Sequence, residues 1–515
     1  MQSKVAEHSS RNIKRGVLLS YLSLFIGVCC SLVYSHYATS FLSTEQYGLF
    51  TTGTALMGYL SLLTFGLSGT IIKFASEYIA KKQKKEEASL YGFFLIVFTG
   101  IAILAFLIGL VVIMFEPRIF KTAGSTEDKQ LRIIILMMLI NLCISFPCSV
   151  FNSVICSYEK FVYLKVVNIV ISLSTSLTVV PLLFLGKQAV EITFVIQMIH
   201  ILANISYIIF SLFRLKIKIS FNLKIIDKSV YRDIFTFAFF IFIGSLCDQL
   251  YWNTDKFILS IFVGQTAVAV YGLGAMFHSY FQQFSGSISE VLFPSIIKNI
   301  SLGQNEKESS AAFIKISRVI TIVLMFILSG FILFGKKFIF YFTGGKEAYN
   351  ESYYIALLVL IPATIPLSQS AAFLIIKALG KHKFRAILYL CIAIINALVS
   401  IPLGIKFGGI GCAATTCVCA LIGHGLIMNI YYQKKIHLDI KQYWSEFFKI
   451  LIPVLLYSVI AYCFITKFTI FNIYHLGIEI VVYSIGFIAL TYFMILNVFE
   501  KENVKLFFRK FKKNK

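Results

Sequence analysis

The chain has 515 residues, of which 58% are hydrophobic and only 14% charged, and its mean hydropathy is +0.83. This composition excludes a soluble globular protein, because such a protein has no use for so much apolar surface. The net charge of +23 would suit a nucleic-acid-binding protein only if the 47 basic residues shared one soluble face, and the sequence offers no such face.

Fourteen apolar runs recur along the chain, each long enough to cross a bilayer core of about 30 Å. Because every backbone N–H and C=O must be satisfied within a spanning segment, we expect these runs to be helices. A porin-like barrel would show short alternating strands instead. The predicted spans cover roughly 16–41, 46–72, 88–115, 131–155, 162–185, 188–212, 234–262, 264–293, 311–335, 351–376, 386–405, 408–432, 447–466 and 473–498.

Most basic residues fall in loops that share one side of the membrane when the N-terminus is placed in the cytoplasm. The largest clusters are 81–85, the 214–232 loop and the tail 509–515. Because an excess of Lys and Arg marks cytoplasmic loops, both termini are predicted to be cytoplasmic. We expect these clusters to set orientation and to contact anionic lipid headgroups. The first apolar run is too long for a cleavable signal peptide, so we expect it to be a retained helix.

Short runs of residues recur at a nearly constant offset of 221 to 225 residues, which indicates an internal duplication. A duplicated bundle with two equivalent lobes is typical of a transporter whose site lies between the lobes. The recurring runs are Phe41–Gly48 with Phe262–Gly272, Ile71–Lys73 with Ile296–Lys298, Lys160–Phe161 with Lys383–Phe384, and Pro181–Leu182 with Pro402–Leu403.

The predicted fold class is therefore all-α integral membrane, with about 14 transmembrane helices in two duplicated six-helix lobes plus two C-terminal helices. The N-terminal six-helix lobe covers 1–212 and a cytoplasmic basic linker covers 213–232. The C-terminal six-helix lobe covers 233–432, and 433–515 holds the two extra helices and a basic cytoplasmic tail.

The sequence predicts a transporter and no enzyme, because the loops cannot hold a catalytic domain. The longest outer loop covers only about 116–130, and the chain lacks a GxxxxGK[ST] loop, an HExxH motif and a paired-carboxylate site. A polymerase or polyprenol-dependent glycosyltransferase would need a large outer loop or an acidic catalytic motif near the interface, and the sequence shows neither. The eleven cysteines lie almost all inside the spans, without CxxC spacing or a neighbouring His cluster, so we expect apolar core roles. Neither a cofactor nor a metal site is predicted.

The seventh span holds the densest set of polar residues, from Asp248 to Lys256. Asp248, Trp252 and Asp255 fall at i, i+4 and i+7, which places them on one helical face. Lys256 points about 100° away from Asp255, so the two need not pair. Ionisable groups within a span usually face a cavity, and a buried carboxylate there could take a proton. The alternative is that Asp255 and Lys256 merely end the helix near the outer water interface.

The eighth span carries a polar stripe of His278, Gln282, Ser285 and Ser289, again at helical spacing, followed by Glu290. Such a stripe can line a substrate path or form hydrogen bonds between helices, and both interpretations stay open.

Lys73 and Glu77 follow the second span as an i, i+4 pair, and we expect them at the cytoplasmic mouth as a structural pair or a gate. Three further cations flank spans: Arg15 precedes the first, Arg318 opens the ninth and Lys377 closes the tenth. Each can snorkel to the interface. Alternatively, in a pore that accepts a diphosphate, each can offset the charge of that substrate.

Two isolated ionisable residues, Glu191 and His424, are expected to make structural hydrogen bonds. The predicted substrate-binding residues are Arg15, Lys73, Asp248, Trp252, Asp255, Lys256, His278, Gln282, Arg318 and Lys377.

Three stretches resemble the polysaccharide-transport (Wzx-type) oligosaccharide flippases of the multidrug/oligosaccharidyl-lipid/polysaccharide exporter superfamily. They are Lys14–Gly16 leading into an apolar helix, Leu42–Gly48 at the entrance of the second span, and Asp255–Gly264 continuing to Tyr271-Gly272. The resemblance extends over the whole chain through its length, duplication and two extra helices.

The resemblance implies a flippase that moves a polyprenyl-diphosphate-linked oligosaccharide, the repeat unit of a surface polysaccharide, from the cytoplasmic to the outer leaflet. The family's cavity is usually lined by the first, second, seventh and eighth helices, and an acid and a base commonly stand where this chain has Asp255 and Lys256. Alternating access would expose that cavity to each side in turn, and the expected location is the bacterial inner membrane.

Two alternatives remain within the same superfamily. One is a flippase for lipid II or a teichoic-acid-type precursor, and the other is a multidrug/cation antiporter. The antiporter is less favoured, because such carriers usually place a carboxylate in the first helix and 16–41 contains none. The expected partners are the lipid-linked substrate, membrane lipids, a coupling proton or sodium ion, and the polymerase and glycosyltransferases of the pathway.

Overall fold

The computed structural model describes residues 2–122, 124–225, 228–301, 306–379, 381, 383–465, 472–498 and 500–502. Side chains are described for fewer residues, and those of 2–18, 287–301 and 377–378 are among the ones left out. Regular secondary structure in the described ranges is entirely helical, without a strand. The predicted all-α class is therefore confirmed.

Sixteen α-helices follow one another along the described chain, with short 3-10 or π segments at some of their ends. They are α1 (Gln2–Phe41), α2 (Thr44–Ser61), α3 (Leu67–Ala80), α4 (Lys84–Ile119), α5 (Ser125–Ser157), α6 (Phe161–Phe184), α7 (Ala189–Ile209), α8 (Lys228–Phe262), α9 (Gln265–Ser301), α10 (Glu306–Phe342), α11 (Asn350–Ser368), α12 (Ser370–Ala378), α13 (Lys383–Ala420), α14 (Met428–Lys435), α15 (Ile440–Ile465) and α16 (Ile473–Leu490).

Eleven helical stretches of the described chain are long and apolar enough to cross a membrane, or up to twelve if a bent pair forms one span. One of the eleven, Lys383–Lys435, has 53 residues. A straight helix of that length would measure about 80 Å, more than twice the bilayer core. Gly408, the first residue of the predicted twelfth span, breaks it with φ 61° and ψ −143°. Each of the fourteen predicted ranges overlaps a helix, and the count of fourteen stays a prediction.

The predicted second span is broken, because two consecutive residues adopt left-handed backbone. Phe65 has φ 48° and Gly66 has φ 68°, which ends one helix and starts α3 at a bend of 41°. A Cβ built on Gly66 would lie 2.3 Å from Cγ2 of Ile241 in α8. Glycine is thus required twice over here, for its backbone conformation and for the close approach of α8.

Two compact units make up the chain. The first comprises 1–272 with 389–412, and the second comprises 273–388 with 413–515. In the first unit α1 packs against α6, α4 and α7 pack against α5, and α2 and α3 pack against both α5 and α8. Its interior includes an aromatic and aliphatic cluster around Phe94, Phe98 and Val150. The predicted lobe boundaries at 212 and 232 stay a prediction.

In the second unit α10 is the helix on which the others are assembled, since α11, α12, α15 and α16 all pack against it. The Tyr483 hydroxyl lies 2.6 Å from Oγ of Ser329, and its ring stacks on Phe326. These contacts hold α16 against α10. α15 and α16, which lie outside the predicted repeat, therefore pack on α10, which belongs to the second copy of the repeat.

Many large apolar side chains face outward from the helices. Met114 is 75% exposed and Leu177 71% exposed, and α15 and α16 carry long series of such residues. Exposure on this scale is unfavourable in water and favourable against hydrocarbon. The chain is a multi-pass membrane protein.

Glu191 has the structural role that its isolated position suggested. It forms a capping box with Gln188 at the start of α7, in which its carboxylate accepts the backbone N–H of Gln188 at 3.1 Å. The interpretation of Glu191 as a structural hydrogen-bonding residue is confirmed.

Gly66→Ala should lower the unfolding free energy by about 2 kcal/mol, because alanine is strained at positive φ and its methyl group overlaps Ile241. Gly100→Ala is the matched control, since no atom lies within 4 Å of its Cβ position in the middle of α4. It should leave stability unchanged or raise it. Thermal unfolding in detergent micelles measures both, and equal midpoints for the two variants would contradict the assignment.

Candidate functional site

A buried glutamine joins four segments at the end of the first unit where α2 and α9 begin. Gln265 is only 3% exposed. Its Nε2 donates to the carbonyl of Lys121 at 3.2 Å and lies 3.1 Å from Oγ of Ser260, while its Oε1 accepts the Thr52 hydroxyl at 2.6 Å. Both donor hydrogens and the acceptor oxygen are used, so the amide connects α2, the α4–α5 loop, α8 and α9.

The two copies of the repeated motif pack against each other at this point. A Cβ built on Gly48 would lie 2.0 Å from the carbonyl oxygen of Gln265, and one on Gly272 would lie 2.9 Å from Cγ2 of Thr51. Only glycine permits this approach of the two helices. The Thr266 hydroxyl donates to Glu45 at 3.0 Å and closes the crossing. The residues that revealed the duplication thus form a contact of their own.

Asp255 lies fully buried in α8, seven residues before that helix ends. The Tyr271 hydroxyl of α9 donates to its Oδ2 at 2.6 Å. The alternative that Asp255 merely ends a helix at the water interface is therefore wrong, because α8 continues to Phe262. Along the predicted face, Asp248 is exposed, Trp252 is half-buried and Asp255 is buried, so accessibility falls steadily along the helix.

Lys256 is half-buried next to Asp255, and its ammonium donates to Oδ1 of Asn253 at 3.3 Å. Asn253 in turn donates to Oε1 of Gln249 at 3.1 Å. A chain of polar groups thus runs one turn at a time along α8. Such a chain offers a sugar or phosphate both donors and acceptors.

Polar contacts also join α8 to α2, and the sequence analysis did not single them out. A Cβ on Gly58 would lie 2.4 Å from Nε2 of Gln249, and the Tyr59 and Thr254 hydroxyls are 2.7 Å apart. The Nε2 of Gln249 is buried without a hydrogen-bond partner in the described chain. The signal that could have found this contact is a small residue, Gly58, facing the most polar span.

The predicted pair of Lys73 with Glu77 does not form. Glu77 binds Lys81 at 2.6 Å instead, one turn further along α3. The Nζ of Lys73 lies 4.3 Å from the ring centroid of Phe237 in α8, and this cation–π contact holds it away from the carboxylate. Lys73 itself is exposed, which leaves its charge accessible.

In the second unit the predicted stripe on α9 has a mixed role. His278 is buried and Gln282 is exposed, while the Ser285 hydroxyl donates to the carbonyl of Leu367 in α11 at 2.8 Å. Ser285 thus links two helices. The side chains of Ser289 and Glu290 lie outside the described residues.

Buried His424 lies within electrostatic reach of His278 and of Arg385, which the sequence analysis passed over. The guanidinium carbon of Arg385 sits 3.8 Å from the ring centroid of Phe373, a stacked cation–π contact. Arg385 was missed because it stands at the predicted start of a span, where basic residues are common.

The guanidinium of Arg318 is buried and binds two carboxylates of this chain. It is 7% exposed and makes two parallel 3.0 Å contacts with Glu500, a third with Glu446 and a fourth with the carbonyl of Ile495. Two carboxylates neutralise its charge, so this geometry does not support the predicted contact of Arg318 with a substrate. Burial acts to raise the pKa of Glu500, but hydrogen bonds from Arg318 and Asn497 outweigh it and hold that pKa below the usual range.

Two predicted residues cannot be placed. Arg15 lies in α1 and Lys377 in α12, and both side chains fall outside the described residues. In the described chain no group of three or more His, Cys, Asp or Glu residues could hold a metal ion.

The family model described as "Polysaccharide biosynthesis protein" matches residues 13–300, which is more than half of the chain. The chain belongs to this family. The predicted recognition of the polysaccharide-transport branch is thus confirmed, and a membrane transporter or flippase of the exporter superfamily is the class that follows.

The chain is also similar to a curated relative and to several solved structures. An uncharacterized membrane protein of Methanocaldococcus jannaschii is 24% identical over 464 residues, which cover 82% of this chain and 87% of the relative. The lipid II flippase MurJ in an inward closed conformation matches with TM-score 0.72 at 17% identity, over 92% of this chain and 98% of its own.

Multidrug transporters of the MATE family match with lower scores. An inward-facing structure has TM-score 0.62 at 14% identity, over 81% of this chain and 96% of its own. The MATE multidrug transporter DinF-BH has TM-score 0.59 at 17% identity, over 81% of this chain and 95% of its own. At these identities the likeness shows a shared fold.

Gln265→Leu should lower the unfolding free energy by about 2–3 kcal/mol, because it removes the buried hydrogen bonds of the amide to Thr52, Ser260 and the Lys121 carbonyl. The exposed Gln442→Leu in α15 is the matched control and should change stability by no more than about 0.5 kcal/mol. Chemical unfolding in micelles compares the two, and an equal effect would remove the special role of Gln265.

Glu500→Gln should destabilise the protein by about 2 kcal/mol at neutral pH, because it removes one carboxylate from buried Arg318. The lowered pKa of Glu500 gives a contribution that is present above the ordinary carboxyl pKa and is lost as pH falls through the folded-state value. The difference from the parent chain should therefore shrink as the pH falls below the ordinary carboxyl range, and it should vanish only below the lowered pKa of Glu500.

Thermal unfolding from pH 7 down to pH 3 measures this dependence. Glu502→Gln, two residues away and exposed, is the control and should match the parent chain throughout. A Glu500→Gln deficit that persists unchanged at low pH would contradict the ion-pair origin.

Proposed function

We propose that the protein flips a polyprenyl-diphosphate-linked oligosaccharide, the repeat unit of a surface polysaccharide, from the cytoplasmic to the outer leaflet by alternating access. The observation that carries this proposal is the polar face of α8 inside a family that serves polysaccharide biosynthesis. That helix presents acidic, basic, amide and aromatic side chains within three turns. Ionisable groups in a membrane span are costly and mark the path of a polar substrate.

Each part of the proposed substrate has a matching group. Trp252 is half-buried and offers a flat surface on which a sugar ring can stack, while Asp248 is exposed and can accept sugar hydroxyls. Lys256 and Lys73 supply positive charge for the diphosphate, with Arg15 and Lys377 proposed to add to it. In the second unit, His278 and Gln282 keep their proposed role, and Arg385 joins them.

The energy source we propose is a coupling ion, a proton or sodium, that binds at Asp255. This carboxylate is fully buried and receives a hydrogen bond from Tyr271 across to the next helix. A change in its charge state would alter a contact between α8 and α9, which is how ion binding can bias a conformational equilibrium. The proposed location is the bacterial inner membrane, with both termini in the cytoplasm.

A second candidate function is the flipping of lipid II or of a teichoic-acid-type precursor. It is favoured by the likeness to the lipid II flippase MurJ, whose TM-score of 0.72 exceeds those of the MATE structures named above. A multidrug antiporter is disfavoured, since the first span has no carboxylate within 16–41.

The deciding experiment deletes the gene and follows both polysaccharide and lipid-linked intermediates. We expect surface polysaccharide to disappear and its lipid-linked repeat unit to accumulate on the cytoplasmic leaflet. Accumulation of lipid II would favour the second candidate instead. Normal polysaccharide with raised sensitivity to cationic dyes would overturn both flippase proposals.

Complementation of that deletion tests the residues. Asp255→Asn and Lys256→Gln should each lower export at least tenfold at equal protein level, because they remove the ion site and a diphosphate contact. Asp233→Asn, exposed on the same helix, and Lys307→Gln, exposed on α10, are the matched controls and should export at the parental rate. Parental export by either site variant would exclude its assigned role.

A further inference from the structure

Two basic segments that lie far apart in sequence meet at one end of the first unit. The backbone N–H of Ser220 donates to the carbonyl of Ala88 at 2.9 Å, and the Ser89 hydroxyl donates to the carbonyl of Asn222 at 2.6 Å. These bonds fix residues 215–222, here named the strap, against the first turns of α4. The basic turn 81–85 immediately precedes those turns.

The strap has no regular secondary structure, its chain turns at Lys216, where φ is 54°, and it has two different faces. Leu215, Ile217 and Ile219 are half-buried and pack against the apolar clusters of the first unit, whereas Lys216 and Lys218 between them are exposed. The apolar side chains thus dock one side of the strap on the first unit, and the lysines lie on the other side. Gly92 makes the docking possible, since a Cβ there would lie 2.1 Å from the carbonyl oxygen of Ser220.

The exposed face of the strap and of the neighbouring turn 81–85 is rich in basic residues and carries exposed aromatic side chains. Residues 210–225 contain no Asp or Glu. Phe213 is 75% exposed and Phe221 64% exposed, at either end of the strap. Lys81 nearby is paired with Glu77, and seven further exposed cations form what we name the basic patch: Lys82, Lys84, Lys85, Arg214, Lys216, Lys218 and Lys224.

We propose that the basic patch is a binding surface for anionic phospholipid headgroups of the cytoplasmic leaflet. Lys216 and Lys218 bind lipid phosphates, and Phe213 and Phe221 enter the headgroup region as anchors. Clustered cations next to a membrane-spanning helix attract anionic lipid, and amphipathic surfaces with exposed aromatics settle at the interface. The proposal depends on the cytoplasmic placement of this end and is independent of the transported substrate.

The membrane fits this surface better than a soluble acidic protein does. The strap follows Ala189–Arg214, a helical stretch long and apolar enough to cross a membrane, so we expect the strap to lie at the depth where the bilayer ends. Exposed phenylalanines there would face water in the absence of lipid. The strap also leads into α8, the helix with the proposed site, so lipid bound here holds the segment that positions α8.

The test reconstitutes the full chain in vesicles and uses Phe221→Trp as a local probe. Subtracting the fluorescence of the parent chain gives the emission of the added tryptophan. Brominated lipid quenches this emission when it touches the tryptophan. Brominated phosphatidylglycerol is compared with brominated phosphatidylcholine. We expect half-maximal quenching at a mole fraction of the anionic lipid about tenfold lower than that of the neutral one.

Adding Lys216→Gln and Lys218→Gln to the Phe221→Trp chain should reduce the preference for the anionic lipid to about twofold. High salt should weaken the same preference in the Phe221→Trp chain that keeps both lysines. Lys434→Gln/Lys435→Gln removes the same charge from exposed positions in the last turn of α14 and should keep the tenfold preference. Both sets of lysines are exposed, so unfolding midpoints should stay unchanged.

Three results would overturn the proposal. Equal quenching by the two lipids would leave the patch without lipid specificity. An equal loss of preference in the two double variants would indicate attraction by net charge alone. Absence of quenching by either lipid would place the strap away from the bilayer and favour a soluble acidic partner.

Discussion

The crossing of α2 and α9 is the constraint on which the proposed site depends. Glycine at position 48 lets the backbone of Gln265 approach α2, and the buried amide of that residue then satisfies partners on three other segments. In a low-dielectric interior each unmade bond would be costly, so the arrangement is held as a unit. It fixes the end of α8, and with it the burial of Asp255 and the contact with Tyr271.

Buried charge is used in two different ways. Around Arg318, opposite charges meet in bidentate geometry and cancel, which stabilises packing and leaves little field for a ligand. Along α8, charged and amide groups instead succeed one another from an exposed to a buried end, with aromatic side chains between them. The first pattern suits a structural joint, and the second suits a path for a polar molecule.

Sequence reasoning recovered the helices and their class because membrane spans are specified locally, by about 20 apolar residues each. It also found the polar face of α8, since helical spacing is a local property. It could not find the break at Phe65 and Gly66, because a left-handed Phe has no sequence signature. It could not find the contacts of Lys73 with Phe237 and of Arg318 with Glu500, because these partners lie on elements far along the chain.

The joint at Arg318 also has a consequence for biosynthesis. Glu446 and Glu500 are synthesised 128 and 182 residues after the arginine they bind. At about 5–20 residues per second, a nascent chain carries this guanidinium without its second carboxylate for roughly 10–40 s. A chain that ends before Glu500 would therefore contain all of the predicted spans, but its Arg318 would lack the carboxylate that binds it through two parallel hydrogen bonds.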